Sequence, residues 1–223
     1  MNPDTLRHEM IVDRAAGWGT VARRTGLWGE DLTAALSAAG LYTSTITVEA
    51  RRGVRASNGD YIIVHPHRRP ISAAPTILAH LAGLAETRLL LNAPADQWTH
   101  AMPEAAHGRI PDAYWRRPGH PTAAVEYDRG TYGHRIREEK MFATLRLNRS
   151  LIWTGPNPAR LRRVQQQAAA LTARWNRDMT RAANRSGAPV HPTDLRRMQL
   201  TVRPVFWDVG SDMRTVAVSG EVV

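Results

Sequence analysis

Cysteine is absent from the 223 residues, which excludes disulfides, thiolate metal sites and cysteine nucleophiles. Lysine is almost absent: Lys140 is the only one, and the other 29 of the 30 basic residues are arginine. Aromatic residues make up 6% of the chain, with two Phe against seven Trp, and most of those Trp are expected to anchor the core. No run of about 18 or more apolar residues occurs, and the opening MNPDTLRHEM has no apolar targeting segment. The expectation is a cytoplasmic protein without a membrane span. Neither a Gly-x-Ser-x-Gly elbow nor a Gly-rich Walker loop is present, so serine hydrolysis and nucleotide hydrolysis are poor readings. A His-hydrophobic-His trio with a Tyr nucleophile is missing too, because His65-Pro66-His67 places Pro where such a strand needs an apolar residue.

What the chain does carry is positive charge. The formal net charge is +10 and the sequence pI is about 11.1, which favours a polyanionic partner, nucleic acid before anionic membrane. An apolar fraction of 43% and a charged fraction of 22% are those of a folded protein with one good core or two small ones.

Periodicity divides the chain. Residues 4–15 suit a first helix. Residues 19–26 suit a short second helix ending in a glycine turn, and residues 29–39 suit a third helix carrying Leu32 and Leu36. Small Ala22 four residues before Gly26 is the spacing of a helix-turn-helix. The alternating strand Tyr42–Val48, a basic turn with Arg51, Arg52 and Arg55, and a return strand Tyr61–Val64 complete the pattern of a winged helix. Arg23, Arg24, Arg51, Arg52 and Arg55 are then expected to face DNA phosphates. Residues 65–70, HPHRRP, read as a linker with exposed histidines. The predicted boundary therefore separates a winged-helix domain, 1–68, from a second domain, 70–223.

In the second domain an apolar helix is predicted over 76–90, carrying Glu86, and a short helix over 95–105, carrying Glu104. The following elements are a strand 112–115, a turn at 117–121, a strand 123–128, a helix 131–146 with Lys140, and a strand 151–154. Asn157 is placed to cap a long helix reaching about Asn184. Along that helix Arg160, Arg163, Arg174, Arg177 and Arg181 fall near helical spacing and could follow a duplex backbone, with Arg163 and Arg174 as its DNA contacts. Residues 199–207 and 213–222 read as a terminal β-hairpin. The fold class is α+β.

Asp112 opens one strand of the predicted hairpin, and Glu126 and Asp128 sit two apart on the next, a spacing that puts both on one face. Three converging carboxylates repel one another and raise their own pKa values. A hard divalent cation with oxygen ligands, Mg²⁺ or Mn²⁺, resolves the repulsion. Such a cation can orient a water against a phosphodiester, with a nearby Lys neutralising the developing charge. The competing reading is a solvated hairpin edge whose acids pair with Arg129, Arg135 and Arg137.

The segments Ile110-Pro111-Asp112-Ala113, Ala124-Val125-Glu126-Tyr127-Asp128-Arg129-Gly130-Thr131, Arg137 to Lys140 and Trp153-Thr154 resemble the replication-relaxation family of plasmids and mobile elements. The resemblance covers roughly residues 10–165. It implies a winged helix ahead of a PD-(D/E)XK nuclease-like core with a mixed sheet. Asp112 matches the motif aspartate and Glu126 the second acid. Asp128 stands where the motif lysine is expected, so Lys140 from the following helix is the substitute, and Glu104 or Glu86 is the acid of the first core helix. The catalytic set implied is Asp112, Glu126, Asp128, Lys140 and Glu104, with Asp112, Glu126 and Asp128 as metal ligands. The implied protein binds double-stranded DNA, acts in plasmid replication or transfer, and is associated with nucleoid or plasmid. Two alternatives stay open, a nuclease-like binding or architectural protein without activity and a winged-helix transcription regulator, and a second copy of the chain is a candidate partner in a homodimer.

Overall fold

The computed structural model describes residues 1–48, 59–69, 74–101, 110–130, 132–147, 150–187, 205–206 and 218–219. Arg51, Arg52, Arg55 and Glu104 lie outside the described residues. The chain is α+β, with six α-helices and two sheets among the described residues. It forms two compact units, one built from Met1–Thr99 and the other from His100–Phe206 with the last short strand. No described helix is long and apolar enough to cross a membrane.

In the first unit, α1 (Pro3–Asp13) starts where Asn2 Oδ1 accepts the Thr5 N–H at 2.7 Å, with Pro3 pre-set for the first turn. β1 (Ala16–Gly17) leads into α2 (Trp18–Thr25), which stops at Gly26, φ 73°. That left-handed turn is the one expected from the sequence, and glycine takes it without a Cβ clash. α3 (Gly29–Ala38) follows, then β2 (Tyr42–Val48) and β3 (Gly59–His65), which pair antiparallel, Thr43 against Val64 and Thr45 against Ile62. The sheet order is β1-β3-β2. Leu6, Met10, Val21, Leu32, Leu36 and Val64 form its core.

α4 (Pro75–Leu90) belongs to this unit rather than to the next. The predicted domain boundary at 68–70 therefore moves to 99–100. Two forces hold α4 there: Leu78, Ala79 and Ala82 pack with Ile46 and Ile63, and its polar residues are paired inside the unit. Arg88 Nε donates to Asp13 Oδ1 at 2.6 Å and its Nη2 donates to Glu9. Arg24 Nη1 reaches Asp13 Oδ2 at 2.5 Å. His65 also departs from the linker reading. It ends β3 fully buried, with Nε2 2.8 Å from Ser44 Oγ and Nδ1 2.6 Å from the His67 carbonyl. Pro66 blocks a helix but not the strand before it.

Residues 95–100 do not form the predicted helix: Ala95–Gln97 is a single 3-10 turn and Trp98–His100 is strand β4. Pro94 disfavours a helical approach, and Trp98, extended at φ −109° and ψ 134°, is buried. The second unit continues with β5 (Ala113–Trp115), β6 (Ala123–Tyr127), α5 (His134–Arg146), β7 (Ser150–Gly155), α6 (Pro158–Ser186), β8 (Val205–Phe206) and β9 (Val218–Ser219). The sheet order is β4-β5-β6-β7-β8-β9. β5 runs antiparallel to β6, while β6, β7 and β8 are parallel neighbours. A parallel pair needs a crossover, and α5 supplies it. Met141, Leu151, Trp153, Leu161 and Val164 fill the space between α5, α6 and the sheet. Asn157 Oδ1 caps α6 at the Arg160 N–H, 3.0 Å away, and Gly187, φ 65°, ends it.

Candidate functional site

β6 is buried at all five positions, Glu126 included. A carboxylate in a covered central strand is costly unless it finds counter-charge and hydrogen bonds. α5 brings that counter-charge. Arg137, Lys140, Met141 and Thr144 recur at the three- and four-residue spacing of one helix face, and Lys140, Met141 and Thr144 are buried. Lys140 Nζ donates to Glu126 Oε1 at 2.8 Å and Oε2 at 2.7 Å, and to the Ile110 carbonyl at 3.2 Å. The ammonium also lies 4.8 Å from the centroid of the Tyr132 ring.

Asp112 completes the group. It lies just before β5, its N–H donates to Val125 O at 3.0 Å, and its Oδ2 accepts the Tyr127 N–H at 2.8 Å. Burial first, and then the Asp112 charge, hold the Glu126 carboxyl well above its ordinary range, while Lys140 pulls the other way. Burial and the charges of Asp112, Glu126 and Asp128 also push the Tyr132 phenol upward, so Tyr132 stays protonated. Asp112 and Tyr132 are only partly covered, so they form the accessible side of a group whose inner half is the Glu126–Lys140 pair.

Asp128 stands apart from this pair. It lies one residue past the end of β6, where the same-face rule for residues two apart no longer governs. Its N–H donates to Thr154 O at 2.7 Å, and Gly155 packs against its carbonyl. Arg160 Nε donates to Asp128 Oδ2 at 2.8 Å and Arg160 Nη2 to Oδ1 at 3.1 Å, with the Gly130 N–H also on Oδ1 at 2.8 Å. The expected convergence of three carboxylates is thus a pair, Asp112 and Glu126, with the third acid engaged by an arginine. Among the described residues no group of three or more His, Cys, Asp or Glu is arranged to hold a metal ion.

The other expected residues separate by location. Arg24, whose side chain is 7% exposed, bonds Asp13 and stands 3.5 Å from Glu9. It is an interior ion-pair residue rather than a phosphate contact. Arg23 Nη2 is held at 2.5 Å by buried Glu86, which also accepts the Thr20 hydroxyl. Glu86 is therefore a positioning acid of the first unit and not a member of the Asp112 group. Arg163 and Arg174 are exposed on α6, and Arg174 pairs with Glu138 on α5. Arg135 pairs with Glu139 on its own helix rather than with the hairpin acids.

Sequence reasoning left three members of the neighbourhood misplaced or unread: Tyr132, Arg160 as the partner of Asp128, and Arg137, which it set against the hairpin acids. Arg137 Nε donates to Gln167 Oε1 at 3.0 Å and its Nη1 to Tyr132 O at 2.9 Å. A signal was present for two of them. Arg137 precedes Lys140 by one helical turn, and Arg160 falls in the first turn of a helix that directly follows a strand. Compared with protein-family models, curated proteins and solved structures, the chain matches none.

Proposed function

We propose that the chain is a DNA-binding protein of the replication-relaxation type whose second unit carries a nuclease-like phosphodiester site at Asp112, Glu126 and Lys140. The observation that carries this reading is the bonding of Lys140 Nζ to both oxygens of Glu126 beside Asp112. In this reading it stands for the acid–acid–lysine group of a PD-(D/E)XK site, with the lysine drawn from the helix after the motif strand. Two features of the fold support it. The chain order β4-β5-β6-α5-β7 puts one acid at the start of β5, the other in central β6, and the parallel strand next to it. In the first unit, three helices precede a hairpin whose sheet also takes in a short strand between α1 and α2, the order a winged helix has.

The residues fit a divalent cation of the Mg²⁺ or Mn²⁺ class at two positions. Two neighbouring carboxylates with one ammonium leave a negative surplus, and oxygen ligands suit a hard ion that keeps several waters. Asp112 and Glu126 are the ligands and Asp128 is not. Bound there, the ion would supply an activated water and charge stabilisation at phosphorus. Lys140 holds the Glu126 oxygens in place. The duplex-facing surface in this reading is α6, where Arg162, Arg163, Arg174, Arg177, Arg181 and Arg185 are exposed. α3 is a poor phosphate surface, because its exposed residues include Glu30 and Asp31 and no cation.

A second reading, a nuclease-like DNA-binding protein without activity, is favoured by the Asp128–Arg160 pair and the full burial of Glu126, which let the protein neutralise its own acids. Nicking of supercoiled plasmid with Mn²⁺ separates the two. The wild type is expected to nick, and Asp112→Asn, which keeps an acceptor for the Tyr127 N–H, is expected not to. A wild type that binds the plasmid and leaves it intact with every divalent metal would remove hydrolysis and leave the second reading.

A further inference from the structure

A cluster of arginines on the far side of Tyr132 has too little negative charge. Arg137 Nη1 and Arg160 Nη2 both donate to the Tyr132 carbonyl, at 2.9 and 2.5 Å, so two guanidinium groups from α5 and α6 converge on one neutral acceptor. Arg137 Nε donates to the neutral side chain of Gln167. Arg163, one turn along α6 from Arg160, is exposed on the same helix. Among the described residues the carboxylate paired with this group is Asp128, already shared by Arg160 and the Gly130 N–H. Burial, and then the charges of Arg160 and Arg163, make Arg137 release its proton more readily than an ordinary guanidinium, with Asp128 opposing them.

Like charges are brought together at a cost that a bound anion removes. The planar forks of arginine match phosphate oxygens in a way a point charge does not. We propose that Arg137, Arg160 and Arg163 bind a phosphate group, Arg160 being oriented by Asp128 and Arg137 by Gln167. This rests on the proposed function and extends it: the phosphate is one of the nucleic-acid backbone, held beside the Asp112–Glu126–Lys140 group. Arg137 belongs to this clamp and not to the acids of the hairpin.

The test has two arms, run on the full chain. In the first, thermal unfolding is followed with inorganic phosphate replacing chloride at constant ionic strength. Phosphate is expected to raise the Tm of the wild type, and Arg163→Gln and Arg137→Gln are expected to lose most of that rise. Arg163 is solvent-facing, so its variant keeps the fold if Arg137→Gln does not. Arg68→Gln, exposed in the first unit, is expected to behave as wild type. An equal rise in all four proteins overturns the clamp. In the second arm, affinity for a short DNA duplex is measured across salt. Arg163→Gln is expected to bind several-fold more weakly, with the slope of log affinity against log salt reduced by about one. A duplex bound equally by wild type and Arg163→Gln overturns the backbone assignment while leaving DNA binding intact. A duplex bound by neither removes the DNA reading, and the phosphate arm then decides the clamp by itself.

Discussion

Lys140 Nζ bonds both carboxylate oxygens of Glu126, at 2.8 and 2.7 Å, with the two side chains 6% and 3% exposed. The only lysine of the chain thus spends its charge inside the second unit. Removing one member of a buried pair leaves the other uncompensated, which costs about 3–5 kcal/mol, whereas replacing both by apolar groups is nearly neutral. Lys140→Met is expected to destabilise by about that amount, and Glu126→Leu with Lys140→Met is expected to recover most of it. Denaturant unfolding of both variants checks this, and additive losses would show that the two groups do not act as a pair.

Glu126 also sets a pH dependence. Its carboxyl is held above the ordinary value of 4.5 by burial and by Asp112. The folded protein therefore keeps a proton that the unfolded chain releases above that value, and stability from this residue is greatest in acid and falls as pH rises from 4.5 upward. This is opposite in sign to an ordinary salt-bridged carboxylate. Unfolding free energies measured in EDTA from acid to neutral pH should show the fall in wild type and a flatter profile in Glu126→Gln. Parallel profiles would contradict the assignment.

Asp13 and Arg88 are both buried and joined by two hydrogen bonds, 2.6 and 3.0 Å, and Arg24 also donates to Asp13 Oδ2. Arg88→Met is expected to cost about 3–5 kcal/mol in the stability of the first unit. Arg24→Ala is expected to lower stability while leaving the salt dependence of DNA binding unchanged, because its charge does not reach solvent. A change in the salt slope for Arg24→Ala would return Arg24 to the phosphate surface.

Gly155 ends β7 against the backbone of Asp128. A Cβ at this position would collide with the Asp128 carbonyl oxygen, which forces the strand ends apart. Gly155→Ala is expected to cost about 1–3 kcal/mol and to loosen the Asp128–Arg160 pair. The melting temperature reports the first effect. Amide exchange at Gly130, whose N–H rests on Asp128, reports the second, and an unchanged exchange rate would separate Gly155 from the Arg160 site.

Much of the local structure was legible before any coordinates. The Asn157 cap, the Gly26 turn, the alternating strand Tyr42–Val48 and the helix with Lys140 all follow from local chemistry: side-chain oxygens for open N–H groups, glycine for positive φ, and period-two or helical apolar spacing. The pairing of Glu126 with Lys140 was half legible, since a lone lysine after a strand carrying an acid is a visible oddity.

What the sequence by itself determined is the helices of the first unit, the succession from β5 to α6, the excess of arginine and the acids on the β5–β6 segments. Only the tertiary structure decided which charges spend themselves inside. Arg24 reads as a surface cation until α4 packs Arg88 beside its partner Asp13, Arg23 stays exposed but is tied to Glu86 of α4, and Asp128 reads as a ligand until α6 lays Arg160 across it. The reason is physical. Propensity and periodicity act over a few residues, whereas a buried charge is matched by whatever the packing carries to it, here from 75 residues away for Arg88 and Asp13 and from 32 for Arg160 and Asp128.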